Sequence, residues 1–429
     1  MKIEVKNRPY NFISDNTNEL DENIAFVETS QNSIYKKETK SKTKYFLNVK
    51  ECFEVLKIYD IKIVGITGTN GKTTTAAAIY SMLIDLDFKA ALQGTRGCFI
   101  NDRRVDEKSL TTPSILHTLD NIKRACEEKC EYFIMEVSSH AIAQNRIEEL
   151  NFALKVFTNI SQDHLDFHKT LDEYIRVKNS FLSDESLKLI NKDDTYVKYN
   201  FKNTYTYAIT DSATFKIEAY SLKDGIEAVG NYGSKTFSFC SYLQGKFNLY
   251  NLLAAVGAVH LLTKKEFPLI NEALQNFSGV SGRMEVVSET PLVIVDFAHT
   301  PDGIEKVLEA MNQHELVVVF GAGGDRDKTK RPLMGKIAQK YAKKLYITSD
   351  NPRSEEPEQI IEDILKGVVK NENIFVNVDR KESILDALKN LDKNEVLMIL
   401  GKGDEDYQEI KGTKYHFSDK ECAKEYLKI

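Results

Sequence analysis

The residues most capable of chemistry lie in a glycine-rich turn that follows an apolar strand. Residues 63–66 read Ile-Val-Gly-Ile, and the turn after them ends in Gly71-Lys72-Thr73. Glycines let backbone N–H groups crowd a phosphate, and the helix that begins near Lys72 directs its positive dipole end at the same oxygens. The lysine adds a point charge, and the threonine hydroxyl can ligate Mg²⁺. The segment therefore predicts a nucleoside triphosphate site.

The spacing of this turn departs from the common phosphate-loop pattern, in which four residues separate the first glycine from the Gly-Lys pair. In this chain the position of that first glycine holds Ile66, and two later glycines form a tighter turn. The predicted phosphate-binding residues are Gly68, Thr69, Asn70, Gly71, Lys72, Thr73 and Thr74.

Further polar groups that could do chemistry lie after the phosphate loop, some in the same part of the chain and some in a later part. Glu136 ends a predicted strand, which is where an NTPase places a carboxylate for Mg²⁺. Residues 163–168 hold two acids and two histidines, and Lys178 lies on a predicted helix. From composition alone, each of these has an alternative interpretation. Glu136 could be a solvated acid, residues 163–168 a polar surface loop, and Lys178 a lysine on a helix face. For Arg283 and Asp296, near a predicted junction between units, the alternative is interdomain ion pairing.

Length and composition favour a cytoplasmic enzyme of two or three domains, and a monomer is expected. The chain has 429 residues, more than one core usually holds, and no apolar run approaches the ~20 residues of a membrane span. The first six residues lack a signal core. With 58 basic and 64 acidic side chains, the net charge of -6 gives no global reason to bind nucleic acid. The cysteines include no CxxC pair, which argues against a thiolate metal site.

Two stretches of alternating strands and helices must position these groups. The first begins near residue 62 and the second near residue 290, and each predicts a parallel sheet covered by helices. Residues 200–245 look like an antiparallel insertion in the first stretch. In the second, polar loops at 321–326, 350–353 and 401–405 follow strands. Because such loops meet at one edge of a parallel sheet, they predict a binding crevice.

Six motifs of this chain occur in the same order in Mur ligases, and the chain from about residue 60 to 429 resembles that family. The motifs are residues 67–74, 135–140, 163–166, 282–285, 296–302 and 350–353. The tight phosphate loop is one of the features shared with the family.

The resemblance implies an α/β protein of three domains. Residues 1–60 would form a short N-terminal α/β domain for the UDP substrate. Residues 61–283 would form a P-loop ATPase-like domain, a parallel sheet with helices that binds ATP. Residues 284–429 would form a Rossmann-like doubly wound domain that binds an amino acid. The family's N-terminal domain is usually longer, and its Asp-Ser-Arg-type signature is at best replaced by residues 15–18, so no uridine contacts are assigned there.

The resemblance also implies a reaction in peptidoglycan precursor synthesis. ATP would phosphorylate the D-glutamate γ-carboxylate of UDP-N-acetylmuramoyl-L-alanyl-D-glutamate, because a carboxylate is itself a poor electrophile. The amine of meso-2,6-diaminopimelate would then displace the phosphate through a tetrahedral intermediate. Phosphoryl transfer between anions needs cations above all, so two Mg²⁺ ions are expected.

Matching positions give each group of site residues. The catalytic set is Lys72, Lys178 and His164, and the metal set is Thr73, Glu136, His164 and Lys178 as a carbamate formed with CO₂. The further ATP residues are Asn248, Asn251, Arg283 and Asp296. The UDP-muramoyl dipeptide set is Thr111, Thr112, Ser138, Gln144 and Arg146. The diaminopimelate set is Arg326, Asp350, Asn351, Pro352, Arg353, Gly401 and Glu405.

The choice of amino acid depends on residues 350–353, which read Asp-Asn-Pro-Arg. Within the family this motif marks enzymes that take meso-diaminopimelate, which is lysine with a second carboxylate. Arg353 can bind that carboxylate bidentately, and Glu405 suits the distal ammonium. Two alternatives are kept: a lysine-adding or folylpolyglutamate ligase, and a nucleotide switch or motor that hydrolyses ATP without an amino acid.

Overall fold

Three large β-sheets, formed in turn by the N-terminal, middle and C-terminal parts of the chain, organise the fold, and the C-terminal part adds a two-stranded antiparallel sheet. The structure is a computed structural model, and it describes residues 1–107 and 110–429. The α/β class predicted from the alternation of strands and helices is confirmed. The predicted domain boundaries, after residues 60 and 283, fall in segments that connect these sheets.

The N-terminal part is a small four-stranded sheet with short helices. Its elements are β1 (Lys2–Glu4), β2 (Phe12–Ser14), a 3₁₀ turn (Thr17–Glu19), β3 (Ile24–Glu28), a second 3₁₀ turn (Ser33–Tyr35), α1 (Lys36–Thr39), β4 (Phe46–Asn48) and α2 (Val49–Val55). The strand order is β1-β2-β3-β4, antiparallel for the first pair and parallel for the others. Val49 and Cys52 share one core cluster with Leu119 of the middle part. Apolar contact therefore joins the two parts.

The middle part contains the phosphate loop and the largest sheet. Its elements are β5 (Lys62–Thr67), α3 (Lys72–Asp85), β6 (Ala90–Gly94), β7 (Gly97–Ile100), β8 (Arg103–Asp106), α4 (Ile115–Glu127), β9 (Tyr132–Val137), α5 (Ser139–Ala143), β10 (Phe152–Phe157), α6 (Leu165–His168), α7 (Leu171–Ser180), β11 (Lys188–Asn191), β12 (Thr204–Ala208), β13 (Phe215–Ser221), β14 (Ile226–Tyr232), β15 (Lys235–Ser241), α8 (Lys246–Thr263) and α9 (Phe267–Gln275).

This middle sheet has eleven strands, in the order β15-β14-β13-β12-β11-β10-β5-β9-β6-β7-β8. Strand β5 lies between β10 and β9, parallel to both, and its residues 63–67 are buried, as expected for a strand covered on both faces. The antiparallel arrangement predicted for residues 200–245 is confirmed for β13 to β15. It is wrong for β12, which pairs parallel with β11 because it continues the central sheet.

The C-terminal part is the second doubly wound unit. Its elements are β16 (Glu285–Glu289), β17 (Leu292–Asp296), α10 (Pro301–Glu309), β18 (Glu315–Phe320), α11 (Lys330–Tyr341), β19 (Ala342–Ile347), α12 (Pro357–Leu365), β20 (Ile374–Val376), α13 (Arg380–Lys389), β21 (Glu395–Leu400), β22 (Tyr407–Ile410), β23 (Thr413–His416) and α14 (Asp419–Leu427).

The order of the C-terminal sheet places the three predicted polar loops together. The strands run β16-β17-β21-β18-β19-β20, all parallel except β16 at one edge. One face is covered by α10, α11 and α12, and the other by α13 and α14. The polar loops follow neighbouring strands β21, β18 and β19, so they meet at one edge of the sheet, as predicted. Of the helices in the described part of the chain, none combines the length and hydropathy needed to span a membrane.

Candidate active site

The turn between β5 and α3 needs glycine at two positions. Gly68 has a φ of 151° and Gly71 a φ of 83°, both in the region that favours glycine. A Cβ on Gly68 would overlap the Thr158 hydroxyl, and one on Gly71 would overlap the Asn251 side chain. The turn is therefore packed against β10 and α8, with its backbone free to approach a ligand.

Lys72, the first residue of α3, points back over this turn. Its Nζ donates to the carbonyl oxygens of Gly68 and Thr69, each at 2.8 Å. Burial lowers the pKa of Lys72, while the carboxylates of Glu136 and Asp163 oppose that shift. A phosphate at the turn would supply the missing counter-charge, so the cation and the loop fit the nucleotide predicted from sequence.

Two of the predicted magnesium ligands lie in direct contact. The Thr73 hydroxyl donates to Glu136 Oε2 at 2.9 Å. The Glu136 carboxylate at the end of β9 also accepts hydrogen bonds from the backbone N–H and hydroxyl of Thr95, at 2.9 Å and 3.3 Å. A hydroxyl and a carboxylate are the oxygen ligands that Mg²⁺ prefers, so this pair fits a magnesium ion.

Lys178 lies behind the phosphate loop on α7. Its Nζ donates to the Gly68 carbonyl at 2.8 Å and lies 5.0 Å from the centre of the Tyr174 ring. Burial, reinforced by the nearby Lys72 cation, lowers the pKa of Lys178 well below its usual value. The interpretation of Lys178 as an exposed helix-face lysine is wrong, because its side chain is buried.

His164 caps α6 with a left-handed backbone (φ 55°). Its ring packs edge-on against that of His140, with centroids 4.8 Å apart. Burial lowers the pKa of His164 to about 3 despite the adjacent Asp163, so the imidazole is neutral at pH 7. Asp163 lies 3.4 Å from Lys330 of the C-terminal part. Burial would raise the pKa of Asp163, but the Lys330 ammonium and the hydrogen bond from the His164 backbone N–H help to hold it below its usual range.

One cleft of about 990 Å³ between the middle and C-terminal parts collects most of the predicted ATP and metal residues. The predicted residues that line it are Thr69, Asn70, Gly71, Lys72, Thr73, Thr74, Thr111, Glu136, His164, Asn248, Asn251, Arg283, Asp296 and Arg326. Lys178, which donates to the Gly68 carbonyl, is not among the residues that line the cleft.

Two asparagines on the first turns of α8 line the cleft beside the phosphate loop. Asn251 Nδ2 donates to Asn248 Oδ1 at 3.1 Å, and Asn248 Nδ2 donates to the Gln244 carbonyl at 2.9 Å. Both side chains are buried. These bonds fix the amide orientations toward the cleft.

The junction between the middle and C-terminal parts is organised by Asp296 at the end of β17. Its carboxylate accepts from the backbone N–H groups of Met284 and Ala298, each at 2.7 Å. Burial raises the pKa of Asp296, although Arg283 opposes the shift. The Arg283 guanidinium stacks 4.2 Å above the Phe297 ring. Both predicted side chains therefore face the cleft from one rigid corner.

The residues predicted for the UDP-muramoyl dipeptide lie around the end of β9. The Thr112 hydroxyl accepts the Ser138 N–H at 3.0 Å, and Arg146 Nη1 donates to the Thr112 carbonyl at 3.0 Å. Thr111 extends this group into the main cleft. Gln144 occupies the C-cap of α5, and Ser138 occupies its N-cap.

The predicted amino-acid residues assemble at the edge of the C-terminal sheet. Asn351 Nδ2 donates to Glu405 Oε2 at 2.8 Å, which joins the loop after β19 to the loop after β21. Gly401 has a φ of 116°, and a Cβ there would press against the Asp350 carboxylate. These four residues therefore form one polar cluster, the candidate amino-acid pocket.

Arg353 completes this pocket from a left-handed backbone position (φ 52°). Its Nη1 donates to the Gly324 carbonyl at 2.6 Å, and its Nε lies 3.8 Å from Glu409. The Pro352 carbonyl packs against Gly324, which leaves no room for a side chain there. Arg326 lies beside Arg353 at Gly323, and its exposed side chain also lines the main cleft.

The C-terminal part also reaches directly into the phosphate loop. Asp302, in the first turn of α10, accepts hydrogen bonds from Asn70 Nδ2 at 2.7 Å and Ser161 Oγ at 3.1 Å. The ammonium group of Lys306 holds the same carboxylate at 2.9 Å. The nucleotide loop and the amino-acid unit are therefore linked by one carboxylate.

Sequence reasoning assigned no role to three of these groups. Thr95 follows β6, the neighbour of β9, and Asp302 lies in the 296–302 motif, so both carried a positional signal. Lys330 opens a helix far along the chain, and its contact with Asp163 depends on how the two units pack. No local sequence pattern predicts that packing.

Comparison with known proteins places this geometry in a family. The model of the Mur ligase middle domain matches residues 66–259, and that of the Mur ligase glutamate ligase domain matches residues 282–403. A UDP-N-acetylmuramoyl-L-alanyl-D-glutamate--2,6-diaminopimelate ligase of Wolinella succinogenes is 50% identical over 99% of this chain and 98% of its own. The ligase of the same name from Helicobacter pylori is 51% identical over 97% of this chain and 96% of its own.

Solved structures agree with this assignment. A UDP-N-acetylmuramoyl-L-alanyl-D-glutamate--2,6-diaminopimelate ligase, 26% identical, superposes with a TM-score of 0.69 over 99% of this chain and 97% of its own. A Mycobacterium tuberculosis folylpolyglutamate synthase reaches 0.67 over 82% of this chain and 91% of its own, but at 14% identity it supports the fold alone. With two family models that together match most of the sequence and relatives at half identity, the chain belongs to the Mur ligase family.

Proposed function

We propose that this chain is an ATP-dependent ligase that joins meso-2,6-diaminopimelate to the D-glutamate γ-carboxyl of UDP-N-acetylmuramoyl-L-alanyl-D-glutamate. The observation that carries the proposal is the joint placement of a phosphate loop with a Thr73–Glu136 pair and an Arg353 pocket on the adjoining unit. The half-identical relatives named as this ligase support the same choice. Residues 1–60 and 61–283 would bind the UDP substrate and ATP, and residues 284–429 the amino acid.

The first half-reaction would take place beside the phosphate loop. Lys72 would transfer its two hydrogen bonds from the loop carbonyls to the phosphate oxygens of ATP, whose negative charge would oppose the lowering of its pKa by burial. Mg²⁺, held by Thr73 and Glu136, would neutralise the phosphates when bound. Thr112, Ser138 and Arg146 would orient the muramoyl dipeptide so that its γ-carboxylate attacks the terminal phosphorus in line, and the bond to the leaving ADP breaks.

A carbamate on Lys178 would convert a buried amine into an anion near the same loop. A neutral amine is the form that adds CO₂, and the low pKa of Lys178 at this buried site favours that form. The carbamate oxygens, together with His164, would hold a second Mg²⁺.

The second half-reaction needs an amine delivered from the C-terminal unit. Arg353 would bind the distal carboxylate of diaminopimelate through its guanidinium fork, and Glu405 the distal ammonium. These contacts would leave the other amino group directed toward the cleft, where it would attack the acyl phosphate and release phosphate.

The decisive experiment is an ADP-release assay with the UDP-muramoyl dipeptide, in which meso-diaminopimelate and L-lysine are compared. We expect turnover to depend on the amino acid and to favour diaminopimelate. Equal or better turnover with lysine would refute the amino-acid assignment. Hydrolysis that proceeds equally without any amino acid would instead support a nucleotide switch.

The Arg353→Ala variant tests the pocket within this assay. Loss of a bidentate charged contact should raise the KM for diaminopimelate by about a hundredfold, while the KM for ATP stays within about twofold of wild type. Arg353→Lys keeps the charge but not the guanidinium fork, so its KM for diaminopimelate should lie between those of wild type and Arg353→Ala. A parallel rise in the KM for ATP would contradict the assignment.

A further inference from the structure

The amino-acid pocket contains a buried cation to which the proposed reaction assigns no role. The Lys402 side chain is 0% exposed. Its Nζ donates to the Tyr407 carbonyl at 2.5 Å and to Asn351 Oδ1 at 3.2 Å, and it lies 3.4 Å from Glu405 Oε2. Asp350 Oδ1 is 4.0 Å away. Lys402 therefore touches or neighbours three of the residues proposed to hold the amino acid.

The pocket has an open side and a closed side, and Lys402 lies on the closed one. Glu405 and Arg353 are 21% and 22% exposed, so a ligand can reach both from solvent. Lys402 backs the Glu405 carboxylate from the interior. Burial and the nearby Asp350 carboxylate raise the pKa of Glu405, and Lys402 opposes that rise. A ligand bound to Glu405 would thus share the carboxylate with a fixed positive charge.

This fixed charge acts differently on the two amino acids. The distal end of diaminopimelate carries an ammonium and a carboxylate, so repulsion of one by Lys402 is offset by attraction of the other. The distal end of L-lysine carries an ammonium alone, and only the repulsion remains. At separations of a few ångströms inside a protein, such interactions are large enough to decide between ligands.

We propose that Lys402 is a specificity-determining residue whose buried positive charge disfavours an amino acid with a lone distal ammonium. The inference rests on the proposed function and divides the selection into two parts. Arg353 attracts the distal carboxylate, whereas Lys402 makes Glu405 a poor site for an ammonium that arrives without one. Discrimination against an unwanted substrate commonly uses such a repulsive element.

The test compares Lys402→Met with Lys402→Arg, which retains the charge. For each, kcat/KM is measured with meso-diaminopimelate and with L-lysine, along with the KM for ATP. We expect the ratio of the two kcat/KM values to fall by at least about tenfold in the methionine variant, through a relative gain for lysine. The arginine variant should stay within about threefold of the wild-type ratio. General damage to the pocket would lower both values together and leave the ratio unchanged.

Other results would overturn the inference. An unchanged ratio in Lys402→Met would show that the charge does not select. If that variant fails to fold, Lys402→Gln, which is neutral but can still donate to Tyr407 and Asn351, takes its place under the same criterion. Loss of turnover with both amino acids in each neutral variant would make Lys402 a structural requirement only. Wild-type enzyme is assayed first: no amino-acid-dependent turnover would refute the proposed function itself, whereas a selective wild type with an unchanged variant ratio refutes this inference alone.

Discussion

Two lysines converge on one carbonyl oxygen, that of Gly68, at a buried site that disfavours their charged forms. Lys72 and Lys178 each donate to that oxygen at 2.8 Å. Burial lowers the pKa of both lysines, and the Lys72 cation lowers that of Lys178 further. Lys178 lies behind the loop. Its modification to an anion would remove the second cation from beside Lys72.

Replacement of this lysine tests its proposed modification. Lys178→Ala should lower kcat by at least about a thousandfold, because the second magnesium ion would lose an anionic ligand. Short carboxylates such as formate or acetate should restore part of the activity in the ADP-release assay. Arg176→Ala, on the exposed face of the same helix, is the control and should retain full activity. No rescue, together with an unmodified Lys178 mass in the wild-type protein, would contradict the carbamate.

Single residues were predictable from sequence where a short motif fixes the local geometry. The phosphate loop and the Asp350–Arg353 turn each place their groups within a few residues, so their chemistry follows from spacing. Lys178 could not be identified from composition, because its burial depends on α7 packing behind a loop more than a hundred residues earlier. The same holds for Lys402, whose partners Asn351 and Tyr407 come from different loops.

At the scale of elements, the starts of α13 and α14 meet in a buried ion pair beneath the amino-acid pocket. Arg380 donates to both carboxylate oxygens of Asp419 at 2.7 Å, and to the Leu400 carbonyl at 2.9 Å. Asp419→Asn leaves the guanidinium without a counter-charge and should destabilise the protein by about 3 kcal/mol, measured by urea unfolding. The double variant Arg380→Met with Asp419→Leu should recover much of that loss. A double variant no more stable than Asp419→Asn would contradict this account.

A second prediction at this scale concerns the segment formed by α6 and α7. Burial, with His140 and Lys178 nearby, lowers the pKa of His168 to about 4, whereas the unfolded chain has a value near 6.5. Between those values the unfolded state binds more protons, so stability falls as the pH drops below about 6.5. This one group should cost up to about 2 kcal/mol between pH 7 and pH 5. His168→Gln should show a correspondingly shallower decline in urea unfolding, and equal declines would refute the assignment.

At the scale of the whole molecule, the cleft exists because two independently packed units face each other. The middle and C-terminal sheets have separate core clusters, so each could be read from its own alternation of strands and helices. Their mutual orientation could not, since it depends on polar contacts such as Asp302 with Asn70 and Lys330 with Asp163. Few apolar groups cross between these two units, and Phe247 is one that does. A relative motion of the units is therefore the expected route for substrates to enter.

The Asp302 contact is the place to test that motion. Asp302→Ala removes the hydrogen bonds to the phosphate loop and should lower kcat by about tenfold or more, because the amine would be delivered less accurately to the acyl phosphate. Thermal stability should change little, since the core of each unit is untouched. Glu305→Ala is the matched control, because Glu305 lies on the same helix but pairs with Lys340 inside the C-terminal unit. Small-angle scattering with an ATP analogue should show a smaller radius of gyration for wild type than for Asp302→Ala. Equal radii and an unchanged kcat would mean that closure depends on other contacts, and that Asp302 only neighbours the loop.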